Sequence, residues 1–263
     1  MGSLDDAVAL DAEGPVRWRA YADPDHESIN AMFGGWTSAV SLAAVLASAP
    51  GPLTPSALTV NFLGAVVPGT RPIIDVEHLG GSRSIDHWRA DLRTSGDGTL
   101  LATASVVLTA RRPTEEHDQW TRPDAPDPDT LDEFHAPGTQ GQQTELRRLS
   151  GAEDSFGQGD TRTSAWIRMV SGRPHDHVQL AYLADQFAPR SFYWGMGPRP
   201  SATITMSVYF HATDDDLAEA GGDYLLNEAT GTRGAHGTSG QQGRLWSPAG
   251  PLLATTEQLA WYR

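Results

Sequence analysis

Two stretches decide the fold: Pro55-Ser56-Ala57-Leu58-Thr59-Val60-Asn61-Phe62 and Pro200-Ser201-Ala202-Thr203-Ile204-Thr205-Met206-Ser207-Val208. Both open with Pro-Ser-Ala, and both alternate apolar with polar side chains, the period of two that a strand with one covered face produces. Leu100-Leu101-Ala102-Thr103 recurs as Leu252-Leu253-Ala254-Thr255, each time after a Gly-containing turn and before a strand that ends in Arg. The chain therefore reads as one unit used twice. The copies lie 145 residues apart at the first match and 152 at the second, and an insertion near Asp214 to Gly222 accounts for the difference. In the first strand the Pro-Ser-Ala identity asks for 145, whereas matching alternation asks for an even offset such as 146. A one-residue slip would turn every side chain to the wrong face, so parity is the stronger guide.

An apolar helix candidate precedes each set of strands. Ala31 to Ser48 carries Met32, Trp36, Val40, Ala43, Ala44 and Ala47 at helical spacing, with Leu42 and Leu46 on another face. A helix apolar nearly all round belongs in the interior. In the second copy Asp176 is an N-cap with Gln179 three residues on, and Pro189 stops the run, which predicts a helix over His177 to Ala188. A buried helix followed by long strands at hairpin spacing, all repeated, implies two antiparallel sheets each wrapped around a helix, an α+β fold. Between the copies, Arg111 to Gly141 has five Pro, eight acidic residues and almost no aliphatic ones, and reads as a solvated linker. The expected organisation is a tail over 1–16, a first domain over 17–112, a linker over 113–142 and a second domain over 143–263.

Composition excludes several functions. The 263 residues are 39 % apolar and 20 % charged, enough for an ordinary globular core. The longest nearly apolar run, Ala39 to Ala47, has nine residues where a bilayer span needs roughly 20, and the acidic start lacks a signal-peptide pattern. No membrane span and a cytoplasmic location are expected. With no Cys there is no disulfide, thiolate nucleophile or cysteine metal site. A net charge of -14 argues against sequence-independent nucleic-acid binding. All 19 basic residues are Arg, so Schiff-base and P-loop lysine mechanisms are excluded.

A duplicated fold needs its core twice, so polar residues at interior positions of one copy alone point to function. Asp185 has Val178, Ala181 and Tyr182 seven, four and three residues before it, which sets a carboxylate on the apolar face of the second helix. It needs partners, because an unpaired buried carboxylate costs several kcal/mol or takes a raised pKa. Thr203 stands where the first copy has Ala57 or Leu58, depending on register, and Gln258 stands where it has Val106. Asp, Thr and Gln together can hold one water for general-base hydrolysis. The competing structural reading has Asp185 cap a loop or pair with an Arg such as Arg190, and leaves Thr203 and Gln258 on a solvated face.

Further residues carry a resemblance. Met32-Phe33-Gly34-Gly35, Phe62-Leu63, Pro72-Ile73-Ile74-Asp75-Val76-Glu77 with Gly80-Gly81-Ser82-Arg83-Ser84, Tyr182-Leu183-Ala184-Asp185, Ala202-Thr203-Ile204 and Leu253-Ala254-Thr255-Thr256-Glu257-Gln258 occur in an order and spacing similar to the acyl-CoA thioesterase II (TesB-like) family. The resemblance implies two fused hot-dog domains, hydrolysis of an acyl-CoA or acyl-carrier-protein thioester, and Asp185, Thr203 and Gln258 as the catalytic trio. It requires no cofactor. Gly34 and Gly35 are expected to supply oxyanion donors, Arg190 and Arg199 are candidates for CoA phosphates, and a homodimer or larger assembly is expected. The motif around Thr203 departs from the family, which usually continues with Asp-His where this chain has Thr205-Met206. Two alternatives remain: an acyl-CoA-binding protein without efficient catalysis, and a hot-dog lyase, for which His211 lacks an evident partner.

Other patterns have ordinary explanations. Glycine at every third position from Gly231 to Gly243 reads as a bulged hairpin, and Asp214-Asp215-Asp216 as an exposed turn. His175 and His177 flank the capping Asp176 without metal-ligand spacing elsewhere, so no metal site is expected, and no G-x-S-x-G elbow exists.

Overall fold

A computed structural model describes residues 3–151 and 155–263. The first half runs α1 (Leu4–Ala7), β1 (Leu10–Gly14), β2 (Arg17–Ala20), α2 (Gly34–Ser48), β3 (Thr54–Phe62), β4 (Ile73–Ser82), β5 (Ile85–Arg93) and β6 (Leu100–Thr109). The second runs β7 (Glu133–Phe134), β8 (Thr144–Ser150), β9 (Thr163–Met169), α3 (His177–Leu183), β10 (Ser201–Phe210), α4 (Asp214–Ala220), β11 (Leu225–Ala235), β12 (Thr238–Trp246) and β13 (Leu252–Tyr262). The two expected sheets are one: β3 pairs antiparallel with β10, giving a continuous sheet in the order β1-β2-β4-β5-β6-β3-β10-β13-β12-β11-β9-β8-β7. That edge-to-edge closure satisfies strand groups which would otherwise face water. α2 and α3 meet inside the sheet, and Trp36, Leu42, Leu58, Leu92, Tyr182 and Phe210 are fully buried around them. Among the described residues no helix is long and apolar enough to cross a membrane.

Strand register confirms the repeat and corrects its offset. Leu58 pairs with Val106 and Met206 with Gln258, so Leu58 matches Met206 and Val106 matches Gln258. Both copies bulge at the same place, between Pro55 and Ala57 and between Thr203 and Thr205. Thr203 therefore matches Pro55, not Ala57 or Leu58; the offset is even, as parity requires, but two residues longer than expected. Just beyond, the amides of Leu63 and Gly64 both donate to the Leu101 carbonyl, and those of His211 and Ala212 both donate to the Leu253 carbonyl.

Other boundaries also move. α2 begins at Gly34 rather than Ala31, because the Met32 amide donates to Val66 and the Phe33 amide to His26. α3 ends at Leu183 rather than Ala188; Gln186 and Phe187 turn back on Leu183 and Asp185 in tighter hydrogen bonds. Residues 3–16 of the expected tail pack against the first unit: Leu4 and Ala7 are buried, Trp36 Nε1 donates to the Ala7 carbonyl at 2.9 Å, and β1 pairs with β2. The linker is anchored too. Trp166 Nε1 donates to the Pro126 carbonyl, β7 pairs with β8, and Gln140 is buried. Asp214-Asp215-Asp216 is the first turn of α4, capped by Thr213 in a capping box. β11 and β12 form the expected bulged hairpin.

Candidate active site

The site forms where α3 ends and α2 begins. The α2 N-cap, Phe33, has no capping side chain, and the first turn has no acid. Asp185, two residues beyond α3, replaces that cap from the other half: its carboxylate accepts the amide of Gly35, the second residue of α2. The positive end of the helix favours the anion there. Approach this close requires glycine. A Cβ at Gly34 would lie 2.6 Å from Asp185 Oδ2, and one at Gly35 would lie 2.4 Å from the Tyr182 carbonyl. Tyr182 packs edge-on against Phe33, and its hydroxyl lies 3.0 Å from His26 Nδ1.

The sheet supplies the rest. Gln258 on β13 donates from Nε2 to Asp185 Oδ1 at 2.9 Å and to Met206 Sδ at 3.1 Å. Its Oε1 accepts from Thr203 Oγ1 at 3.3 Å and from Gln241 Nε2 at 2.7 Å. The three residues selected from the sequence are thus joined, with Gln258 between Thr203 and Asp185. The amide of Gln258 is fully engaged, so it fixes the carboxylate. Asp185 is enclosed while keeping a small accessible edge, and burial pushes its pKa from 3.8 up to about 7 against the opposing pull of Gln258 and Gly35. A carboxylate poised there is matched to general-base work near neutrality.

Gln241, opposite Gln258 on β12, was missed from the sequence. It replaces Trp88, which faces Val106 in the first copy, so the test that found Gln258 finds it once the register is known.

The expectation for Arg190 fails. Arg190 is completely buried, with its guanidinium donating to the carbonyls of Ala188, Thr161 and Ala229 and to Thr163 Oγ1, and packed over Phe187 and Tyr193. It neither pairs with Asp185 nor faces a phosphate, and burial lowers its pKa to about 10. Arg199 is tied to the carbonyls of Gly197 and Trp194 over the Tyr262 ring. The Gly35 amide is committed to Asp185. His211 is exposed and lies 3.2 Å from Thr255 Oγ1. Buried His175 hydrogen-bonds Gln179 and the Asp223 carbonyl, and buried His177 packs on Phe210. Among the described residues no group of three or more His, Asp or Glu could hold a metal ion.

Comparison with known proteins fits this arrangement. Residues 22–109 match the acyl-CoA thioesterase N-terminal domain, and residues 121–262 match the acyl-CoA thioesterase C-terminal domain. The chain belongs to the acyl-CoA thioesterase family. A hot-dog-fold protein of unknown function from Alicyclobacillus acidocaldarius is 32% identical over 100% of this chain and 98% of its own, with a TM-score of 0.92. A tesB protein from Mycobacterium avium subs paratuberculosis shares the fold at 20% identity and TM-score 0.81, covering 99% of this chain and 98% of its own. An acyl-CoA thioesterase II from Mycobacterium marinum does so at 18% identity and TM-score 0.78, with the same coverage. No curated protein matches. The architecture is that of two fused hot-dog units, and the family supports thioesterase activity in general.

Proposed function

We propose that this chain hydrolyses acyl-CoA thioesters to free acid and CoA through a water activated by Asp185. The observation that carries the reading is the Asp185 carboxylate, held between the Gly35 amide and Gln258 with its pKa raised to about 7. Water gives a proton to Asp185 as its oxygen bonds to the thioester carbonyl carbon. The negative charge on the carbonyl oxygen faces the start of α2, where the Gly34 amide has no intrahelical acceptor. Collapse of that intermediate breaks the carbon–sulfur bond, and the proton on Asp185 passes to the departing thiolate. Gln258 holds the carboxylate in its reactive orientation, and Thr203 supports Gln258. No Cys or catalytic Ser is required, and no acyl-enzyme forms.

The test is thiol release, followed with a thiol-reactive dye, from acyl-CoAs of increasing chain length. Gln258→Ala lowers kcat about a hundredfold with the melting temperature largely kept. Release no faster than the uncatalysed background overturns the reading, and acyl-CoA binding without release points to a binding protein instead.

A further inference from the structure

Beyond the trio, the strand next to Gln258 carries a second buried amide. The Gln241 side chain is 3 % exposed and lies directly across the ladder from Gln258. Its Oε1 accepts the backbone amide of Arg190 at 3.0 Å, and its Nε2 donates to Gln258 Oε1 at 2.7 Å. The two ends of a glutamine amide differ only in which atom donates, so its orientation follows from its neighbours. One of those neighbours cannot reverse. The Arg190 amide can only donate, which fixes Gln241 Oε1 toward it and the Gln241 NH2 toward Gln258. That in turn fixes Gln258 Oε1 toward Gln241 and the Gln258 NH2 toward Asp185.

We propose that Gln241 is a positioning residue for thioester hydrolysis, whose hydrogen bond locks the Gln258 amide with its donor facing Asp185. The inference rests on the proposed function for its kinetic meaning, but the hydrogen-bond relay stands by itself. It also accounts for Arg190, whose buried guanidinium, clamped by three carbonyls, holds its own backbone amide against Gln241. Without Gln241 the Gln258 oxygen keeps only the long bond from Thr203, and rotation of the amide would turn that oxygen toward the Asp185 carboxylate with like partial charge. The proton on Asp185 is then held more tightly, and the base works only at higher pH. The other ionisable groups near Asp185 leave this sign unchanged. α2 carries none. On α3, Tyr182 has its hydroxyl on His26, and burial raises its pKa so that it stays neutral. Glu257 of β13 and Tyr209 of β10 are exposed on the outer sheet face, and Arg244 of β12 stacks on Trp120.

Two variants and two readouts test this. The full-length protein, with its aspartate carboxyl carbons labelled with carbon-13, is titrated by NMR, and the pH dependence of kcat/KM for acyl-CoA is measured alongside. Gln241→Leu moves the Asp185 titration and the acid limb of the rate profile upward together by about one pH unit, and lowers kcat about tenfold at neutral pH. Gln241→Glu can accept from the Arg190 amide and, while protonated, still donate to Gln258. Its rate relative to the unmodified protein therefore falls as pH rises through the titration of the introduced carboxyl group. A purely structural Gln241 would lower both variants equally at every pH and leave the Asp185 titration in place, and that result overturns the proposal. If the unmodified protein releases no thiol, the hydrolytic reading fails while the NMR titration still decides the relay.

Discussion

The two central helices begin in matching places and are capped in opposite ways. α3 is capped locally: Asp176 accepts the Gln179 amide and is paired with Arg173 at 2.6 Å. Its first residue, His177, is buried edge-on against Phe210. At the start of α2 the matching ring is Phe62, which lies beside Gly34, a residue with no side chain, and the cap arrives from the other half as Asp185. The sheet supplies Met206, Gln258 and Gln241 beside the start of α2, and at the matching strand positions of the first copy it has Leu58, Val106 and Trp88. One fold thus built a closed, apolar copy and an open, polar one. The difference teaches that the Asp185 carboxylate occupies a structural vacancy, the missing cap of α2. Its position is set by the need of the unsatisfied amides at a helix start for an acceptor.

The largest way to break this comparison is Asp185→Asn. It keeps the shape of the cap and removes the base, so kcat falls by about 10²-fold to 10⁴-fold. Stability moves the other way. With the folded pKa at about 7 and the ordinary value at 3.8, the folded state holds more protons than the unfolded chain between those pH values. The unmodified protein therefore loses stability as pH rises from about 4 to about 7, by at most about 4 kcal/mol and by less because an edge of Asp185 meets water. The Asn variant lacks that slope. Melting temperatures from pH 5 to pH 8 should diverge in favour of Asp185→Asn, and parallel curves would refute a buried, charged Asp185.

Gly34→Ala tests the open helix start. The added Cβ would lie 2.6 Å from Asp185 Oδ2, so the carboxylate must move. Displacement of a reacting group by about an ångström costs up to about a hundredfold. We expect kcat to fall roughly ten- to hundredfold with KM little changed, measured by steady-state thiol release.

Much of this was readable in the sequence because comparing the copies needs only the period and parity of strands. Asp185, Thr203 and Gln258 came from polar residues at positions the other copy fills with apolar or Pro side chains. Gln241 escaped because the Gly-rich run around it hides the register of β12, which is set by cross-strand hydrogen bonds. The fate of Arg190 was equally hidden: a guanidinium among carbonyls and one among phosphates look alike in a sequence, and only burial separates them. The joining of the sheets through β3 and β10 depends on which edges meet, and alternation within a strand carries no record of that.

Val106→Gln asks whether the closed copy is scaffold alone. It places an amide opposite Trp88 and Leu58, where the buried Trp88 Nε1 could serve its oxygen but no carboxylate matching Asp185 takes its NH2. An unsatisfied buried amide costs about 1–3 kcal/mol. A lower melting temperature with unchanged kcat is expected.

Thr203→Ala has the smallest expected effect and sharpens the comparison most finely. In the closed copy the matching residue is Pro55, which can donate nothing, so the hydroxyl is a feature of the open copy alone. Its hydrogen bond to Gln258 Oε1 is 3.3 Å long, and that oxygen is already held by Gln241 at 2.7 Å. A neutral, redundant hydrogen bond of this kind contributes about 0.5–1.5 kcal/mol, which predicts a two- to tenfold fall in kcat/KM and an unmoved acid limb. A hundredfold fall would mean that the hydroxyl meets the water or the thioester itself. The weight of catalysis would then shift from the carboxylate and its relay to the bulge between Thr203 and Thr205, which both copies share in backbone but which opens on a hydroxyl in one and on Pro55 in the other.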